Sequence, residues 1–280
     1  MRSIIAKIET LSDSFTKTDR RIASYVRKNQ KQLVYMSLTE LSDVLKVSEG
    51  SIIRFCKKVG LAGFYELKIS LAVSSGDSSE QLDSVAEFHQ DVSRMREAVA
   101  NRNHQIIRDT DDLIPDSAVE ASISLILEAD TILIVGVGGS GITAHEAFHR
   151  FMRIGLKCQF STDSHLQTML ASGMTKRDLL IAVSQSGSTV EVVKMAQMAT
   201  KKGARVIALT GYARSPLAST ADQVLITPTR ESPLENVATR SKIAQLHVLD
   251  ILCVGVYGRI PAMAKESIKR TSEAISQSQW

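Results

Sequence analysis

The stretch Thr131 to Gly141, TILIVGVGGSG, constrains the fold more than any other part of this chain. Ile132 to Val135 is an uninterrupted β-branched and leucine run, the pattern of a strand buried on both faces of a parallel sheet. The run breaks at Gly136, Gly138, Gly139, Ser140 and Gly141, and beyond it ITAHEAFHRFMRIG sets Ala144, Ala147, Phe148 and Phe151 at helical spacing before Gly155. Strand, glycine turn and helix in this order aim several backbone N–H groups, at the positive end of a helix dipole, toward one point. Such a point is a seat for a phosphate or another anion.

The chain then alternates regularly. Apolar strands are expected at 157–161 (KCQFS), 178–184 (DLLIAVS), 205–210 (RVIALT) and 223–227 (QVLIT), with helices near 165–172 and 189–202. Alternation of this kind predicts a doubly wound α/β fold, in which ligands sit at the carboxyl ends of the strands where the winding reverses. Pro115 marks a helix start, with Val119, Ile123, Ile126 and Leu127 on its apolar face. Helices from about Thr239 to Val256 and after Pro261 are expected to cover the sheet and offer a dimer surface. A second polar loop follows DLLIAVS: Ser184, Gln185, Ser186, Gly187, Ser188 and Thr189, directly before the helix VEVVKMAQMATKKG. Hydroxyls and bare N–H groups at a helix start donate to several oxygens of a phosphate at once, and Gly187 lets the backbone come close.

The N-terminal region has a different character. Residues 1–75 carry 13 Lys and Arg against 7 Asp and Glu, a net +6, whereas the remaining residues carry 21 against 23. One basic end points to a polyanionic partner there. A helix capped at Thr16 with Asp19 runs through TDRRIASYVRKNQ, with Ile22, Tyr25 and Val26 inward and Arg20, Arg21, Arg27 and Lys28 outward. Ser37 and Glu40 form a capping box for a helix barely two turns long, striped by Leu38, Leu41, Val44 and Leu45. Ser48 then caps SEGSIIRFCKKVG, in which Ile52, Ile53, Cys56 and Val59 face inward and Gly60 stops the helix. Two short helices joined by a tight turn make a helix-turn-helix. Its second helix is the one that enters a major groove, so Ser48, Glu49, Gly50, Ser51 and Arg54 are the candidates to read bases. Lys57, Lys58, Arg20 and Arg21 are placed to hold phosphates.

At 280 residues and 44% hydrophobic content, the chain is long enough for two cores. No apolar run approaches the roughly 18 residues that span a bilayer, and the start, MRSIIAKIETLSDSF, turns polar too soon for a secretory signal, so a cytoplasmic chain without membrane attachment is expected. Cys56, Cys158 and Cys253 lie far apart among apolar neighbours, as reduced, buried thiols would. SSGDSSEQ at 74–81 reads as a linker, and Leu82, Val85, Phe88, Val92, Met95 and Val99 predict a helix with one apolar face, ending near Asn101 or Asn103, that packs on its own domain or pairs two subunits.

The run MSLTELSDVLKVSEGSIIRFCKKVGLAGFYELK resembles the DNA-binding domain of the RpiR family of bacterial transcriptional regulators, and GVGGSG stands where that family's SIS phosphosugar-binding domain begins. The resemblance implies an all-α helix-turn-helix domain at 1–77, a linker and connecting helix at 78–115, an SIS domain at 116–262 with a flavodoxin-like parallel sheet, and a C-terminal helix at 263–280. It implies a phosphosugar held by Ser184, Ser186 and Thr189, with Ser140 as the further contact and Gly138, Gln185 and Gly187 in the same loops. The function it implies is regulation, by repression or activation, of sugar-metabolism genes by a homodimer or homotetramer whose grip on operator DNA responds to that effector, with no cofactor, no metal and no catalytic residue.

Two motifs read otherwise on their own. Gly136, Gly138 and Gly141 satisfy G-x-G-x-x-G, and Asp163 lies at the distance of a ribose-binding acid, the fingerprint of a dinucleotide site and of an NAD-responsive regulator. HEAFH, His145 to His149, satisfies H-E-x-x-H without a clear third metal ligand, and is read as two partly buried or ligand-edge histidines. A phosphosugar isomerase would further need a carboxylate base, for which Glu231 and Glu235 are the candidates.

Overall fold

Hydroxyl caps punctuate the N-terminal helices. The computed structural model describes residues 4–75, 91–228 and 240–276, and these fall into two compact units that divide between Asn103 and His104. The first opens with α1 (Ile4–Thr10), α2 (Lys17–Lys28), α3 (Gln30–Val34), α4 (Leu38–Leu45), α5 (Glu49–Lys58) and α6 (Phe64–Ser75). Capping boxes start α2 at Thr16 with Asp19 and α4 at Ser37 with Glu40, and Ser48 accepts from the Ser51 N–H to cap α5. Lys46, at φ 46°, turns the chain between α4 and α5, and Gly60, at φ 80°, ends α5.

These short helices cannot stand alone and are held by one shared core. Ile8, Ile22, Val26, Leu33, Leu41, Ile52, Phe55, Cys56, Leu67 and Leu71 are all buried within it. Two side chains depart from the sequence reading. Val44 is 54% exposed and Ile53 only half-buried, because a two-turn helix turns its apolar stripe over a narrow arc and Leu41, Leu45, Ile52 and Cys56 already fill it.

α7 (Val92–Leu113) runs ten residues past Asn103, so the expected stop at Asn101 or Asn103 is corrected. Asparagine is only a mediocre helix former, no glycine or proline follows until Pro115, and the apolar face continues through buried Ile106. The earlier part of that face, Val92, Met95 and Val99, is exposed. Leu82, Val85 and Phe88 and most of the 74–81 segment lie outside the described residues.

In the second unit, α8 (Asp116–Glu128) starts after Pro115 and leads into β1 (Ile132–Gly136). Then come α9 (Gly139–Arg153), β2 (Cys158–Gln159), α10 (Ser164–Ser172), β3 (Leu179–Val183), α11 (Val190–Lys201), β4 (Arg205–Thr210), β5 (Gln223–Ile226), α12 (Arg240–Arg259) and α13 (Pro261–Ser276). The strands form one sheet in the order β2-β1-β3-β4-β5, every pair parallel. Every residue of β1 and β3 is buried, and strand alternation divides their side chains between two cores. Ile132, Ile134, Ile181, Val183, Ile207 and Leu209 meet Ile126, Ala144, Phe151, Val248 and Leu252 on one face. Leu133, Val135, Leu180, Ala182 and Val206 meet Ala171, Val192, Met195 and Ala199 on the other. This is the doubly wound three-layer sheet that the apolar strands demanded. Cys56 is buried, while Cys158 and Cys253 are half-buried; all three are free thiols, and burial pushes Cys56 and Cys158 up to about 12.

Candidate functional site

At α5 the first turn is tied down by its own side chains. Ser48 Oγ lies 2.8 Å from Ser51 Oγ, and Arg54 Nη2 donates to Ser51 Oγ at 2.9 Å. The Arg54 fork lies back toward Gly50, where a Cβ would stand 3.4 Å from Arg54 Nη1. Glu49 accepts from Thr39 Oγ1 at 2.6 Å and so binds the two helices of the motif together. Lys58 donates to Ser14 O at 2.6 Å and to Asp19 at 2.9 Å, with its ammonium 5.5 Å from the Phe15 ring centroid. Arg20, Arg21, Arg54 and Lys57 are exposed. The sequence reading therefore placed a basic, exposed surface correctly on α2 and α5, but it did not distinguish Lys58, which faces internal partners.

The second site lies where the strand order reverses. β1 and β3 are neighbours, and Gly136 is paired with Val183 at their carboxyl ends. The turn after Gly136 and the turn after Val183 thus leave the sheet side by side, about 4.8 Å apart at their roots. Gly138 at φ 58° and Gly187 at φ 60° make both turns possible. A Cβ at Gly136 would stand 2.6 Å from Ser140 O, and one at Gly187 would collide with the Ser215 side chain and lie 2.7 Å from Thr210 Oγ1. The glycines of G-x-G-x-x-G serve the close approach of α9 to β1. No side chain caps α9 at Gly138 or α11 at Thr189, so both helices present bare N–H groups at the same sheet edge.

Around these turns, buried Ser184 Oγ lies 3.0 Å from Thr189 Oγ1. Ser186 is exposed, its Oγ accepting from the Ser188 N–H at 3.2 Å. Ser140 is half-buried in the first turn of α9. Gln185 is in the loop, but its carboxamide turns into the protein: Nε2 donates to Pro228 O at 3.2 Å, and Oε1 accepts from Thr227 at 3.1 Å and from Gln245 at 2.9 Å. Its backbone carbonyl accepts from the Gly211 N–H at 3.0 Å.

One residue that the sequence reading passed over stands beside the first turn. A Cβ on Gly139 would lie 3.6 Å from Lys242 Cε and 3.8 Å from its Nζ. Lys242 is in the first turn of α12, a helix read only as a cover for the sheet, and nothing local in the sequence joins it to residue 139.

The competing motifs are otherwise occupied. Asp163 caps α10 by accepting from the Leu166 N–H at 2.7 Å. His145 and His149 are exposed rather than partly buried, and His145 stacks on Phe160 at a centroid distance of 5.0 Å. Among the described residues no group of three or more His, Cys, Asp or Glu side chains is arranged to hold a metal. Glu231 and Glu235 lie outside the described residues.

Residues 2–78 match the family model for the helix-turn-helix domain of the rpiR family, and residues 125–255 match the SIS domain. An uncharacterized HTH-type transcriptional regulator of Caldanaerobacter subterraneus is 36% identical over 99% of this chain and 98% of its own. The chain belongs to the rpiR family of helix-turn-helix regulators. A second relative, from Thermotoga maritima and also described as an HTH-type transcriptional regulator, is 32% identical over 98% of each chain. The structure of Vibrio vulnificus NanR complexed with ManNAc-6P superposes with a TM-score of 0.83, at 28% identity over 99% of each chain. Two-domain order and fold are therefore shared along the whole length.

Proposed function

We propose that this rpiR-family regulator reads operator DNA through α5 and is controlled by a sugar phosphate seated between the turns 136–141 and 184–189. The observation that carries the reading is the pairing of Gly136 with Val183, which roots two uncapped helix starts and their hydroxyls at a single point of the sheet edge. The phosphoryl oxygens take bonds from the N–H groups of Gly138 and Ser140 and from the hydroxyls of Ser140, Ser184, Ser186 and Thr189, while Gly187, whose N–H closes the second turn on Ser184 O at 2.9 Å, and the Gln185 backbone shape that turn. Lys242 supplies the counter-charge that the two turns lack. Support comes from NanR, whose complex with ManNAc-6P has the same overall fold.

The DNA face in this account is α5 with Arg54 at the base edges and Lys57, Arg20 and Arg21 on phosphates, borne by a domain spanning 1–77. The phosphosugar domain spans 116–262. Binding, not turnover, is the role: the relatives are described as transcriptional regulators, and the described turns offer hydroxyls, amides and an ammonium rather than a carboxylate base. The chain acts in the cytoplasm as a homo-oligomer, so that two α5 helices face a palindromic site. No single described helix is long and apolar enough to cross a membrane, in keeping with that placement.

Isothermal titration of the full chain with ManNAc-6P and a panel of hexose, hexosamine and pentose phosphates tests the pocket. At least one compound binds; Lys242→Met weakens it about 10- to 100-fold, the worth of a charge-assisted bond, and Thr189→Val weakens it less. A panel that binds no better than inorganic phosphate contradicts the reading.

A further inference from the structure

A buried relay of side chains runs beneath the two turns. Thr143 in α9 donates through Oγ1 to Gln245 Oε1 at 2.8 Å, and Gln245 Nε2 donates to Gln185 Oε1 at 2.9 Å. Thr227 donates to the same Gln185 oxygen at 3.1 Å, and Gln185 Nε2 donates to Pro228 O at 3.2 Å. Thr143, Thr227 and Gln245 are 1% exposed or less.

The direction of this relay is fixed by one atom. A carbonyl only accepts, so Pro228 O requires the nitrogen of Gln185 on its side, which turns the Gln185 oxygen toward Gln245. Gln245 must then present nitrogen there and oxygen to Thr143. Reversing any one amide sets two acceptors against each other among side chains of which Thr143, Thr227 and Gln245 are buried and Gln185 half-buried, a cost that holds the whole set in one arrangement. The result is that α9, which starts at the first turn, and Gln185, inside the second, are both fastened to α12, whose first turn carries Lys242.

We propose that Gln245 is a positioning residue of the anion pocket. It touches no ligand; it holds the second turn through Gln185 and the first helix through Thr143, so that N–H groups from both turns and the Lys242 ammonium converge on one phosphoryl group. This inference rests on the phosphosugar reading above.

Gln245→Leu removes both bonds. Gln245→Glu keeps the volume and the bond from Thr143 but sets a carboxylate oxygen against Gln185 Oε1, and it serves where the leucine variant does not fold. Titration of the full chain with ManNAc-6P and with inorganic phosphate gives, for either variant as a cooperatively folded chain, affinity about tenfold below wild type, with binding to random-sequence DNA unchanged; the unfolding temperature falls in both, because each leaves buried polar atoms unpaired. Because part of the effect of Gln245 passes through Gln185, Gln185→Leu combined with Gln245→Leu loses less affinity than the sum of the two single losses. Wild-type affinity in both Gln245 variants overturns the inference, and so do losses that simply add in the double variant. A wild-type chain that binds neither probe sinks the phosphosugar reading together with this inference, whereas a binding wild type with indifferent variants sinks the inference alone.

Discussion

Asp19 serves two structures at once. It closes the capping box of α2 by accepting from Thr16 N at 3.0 Å, and it receives the Lys58 ammonium from the end of α5 at 2.9 Å. Burial opposes its ionisation, but the bonds from Lys58 and Thr16 outweigh that and hold its carboxyl below the usual carboxylate range. A depressed folded-state value stabilises the fold above the unfolded value, about 3.9, and that contribution disappears as pH falls through the folded value. Lys58→Met is therefore expected to cost about 1 kcal/mol at pH 7, discounted because Lys58 is partly exposed, with the gap to wild type narrowing below about pH 4. Thermal unfolding of both chains from pH 7 to pH 3 checks it; a gap independent of pH would mean that the Ser14 carbonyl, not Asp19, is the partner that matters. Lys58 also marks what the sequence concealed at this scale. Composition places it on a basic helix, but its partners Ser14 and Asp19 lie 44 and 39 residues away. Lys242 and Gln245 were hidden for the same reason, Gln245 meeting partners 60 and 102 residues distant.

Elements were more legible than side chains, because each carries its own signal. β1, β3 and β4 showed as continuous apolar runs, whereas the strand expected at 157–161 shortens to Cys158–Gln159, and the three cap-started helices α2, α4 and α5 each began at the hydroxyl that announced them. α7 overran its expected end because asparagine permits a helix that a buried apolar face continues to favour. α1, α3 and α6 went unread: α1 and α3, 7 and 5 residues long, are too short for periodicity to declare itself, and the 12 residues of α6 gather their apolar side chains on no single face. Within α5, the Ser48–Ser51–Arg54 cluster sets the guanidinium at the start of the helix, the part nearest the base edges in a helix-turn-helix. Arg54→Ala is expected to weaken operator binding by about 1 to 3 kcal/mol while leaving affinity for random DNA nearly unchanged. Lys57→Ala should instead weaken both by a similar factor and flatten the salt dependence. Gel-shift titrations at several salt concentrations separate the two; equal losses on operator and random DNA for Arg54→Ala would reassign it to the phosphate backbone.

At the scale of the whole molecule, two compact units share one chain, and the family match and the NanR superposition extend over both. Regulation then means that a ligand at the sheet edge and DNA at α5 alter one another's affinity, and the coupling must be reciprocal. The most direct measurement is the dissociation constant of the full chain for its operator, selected from random duplexes, at fixed salt with and without each sugar phosphate of the panel. The account predicts that at least one compound moves that constant by about 5- to 150-fold, and that the Ser184→Ala/Thr189→Val chain keeps the unliganded value while losing the response. An operator constant unmoved by every compound, or a response that survives in the doubly substituted chain, would contradict it.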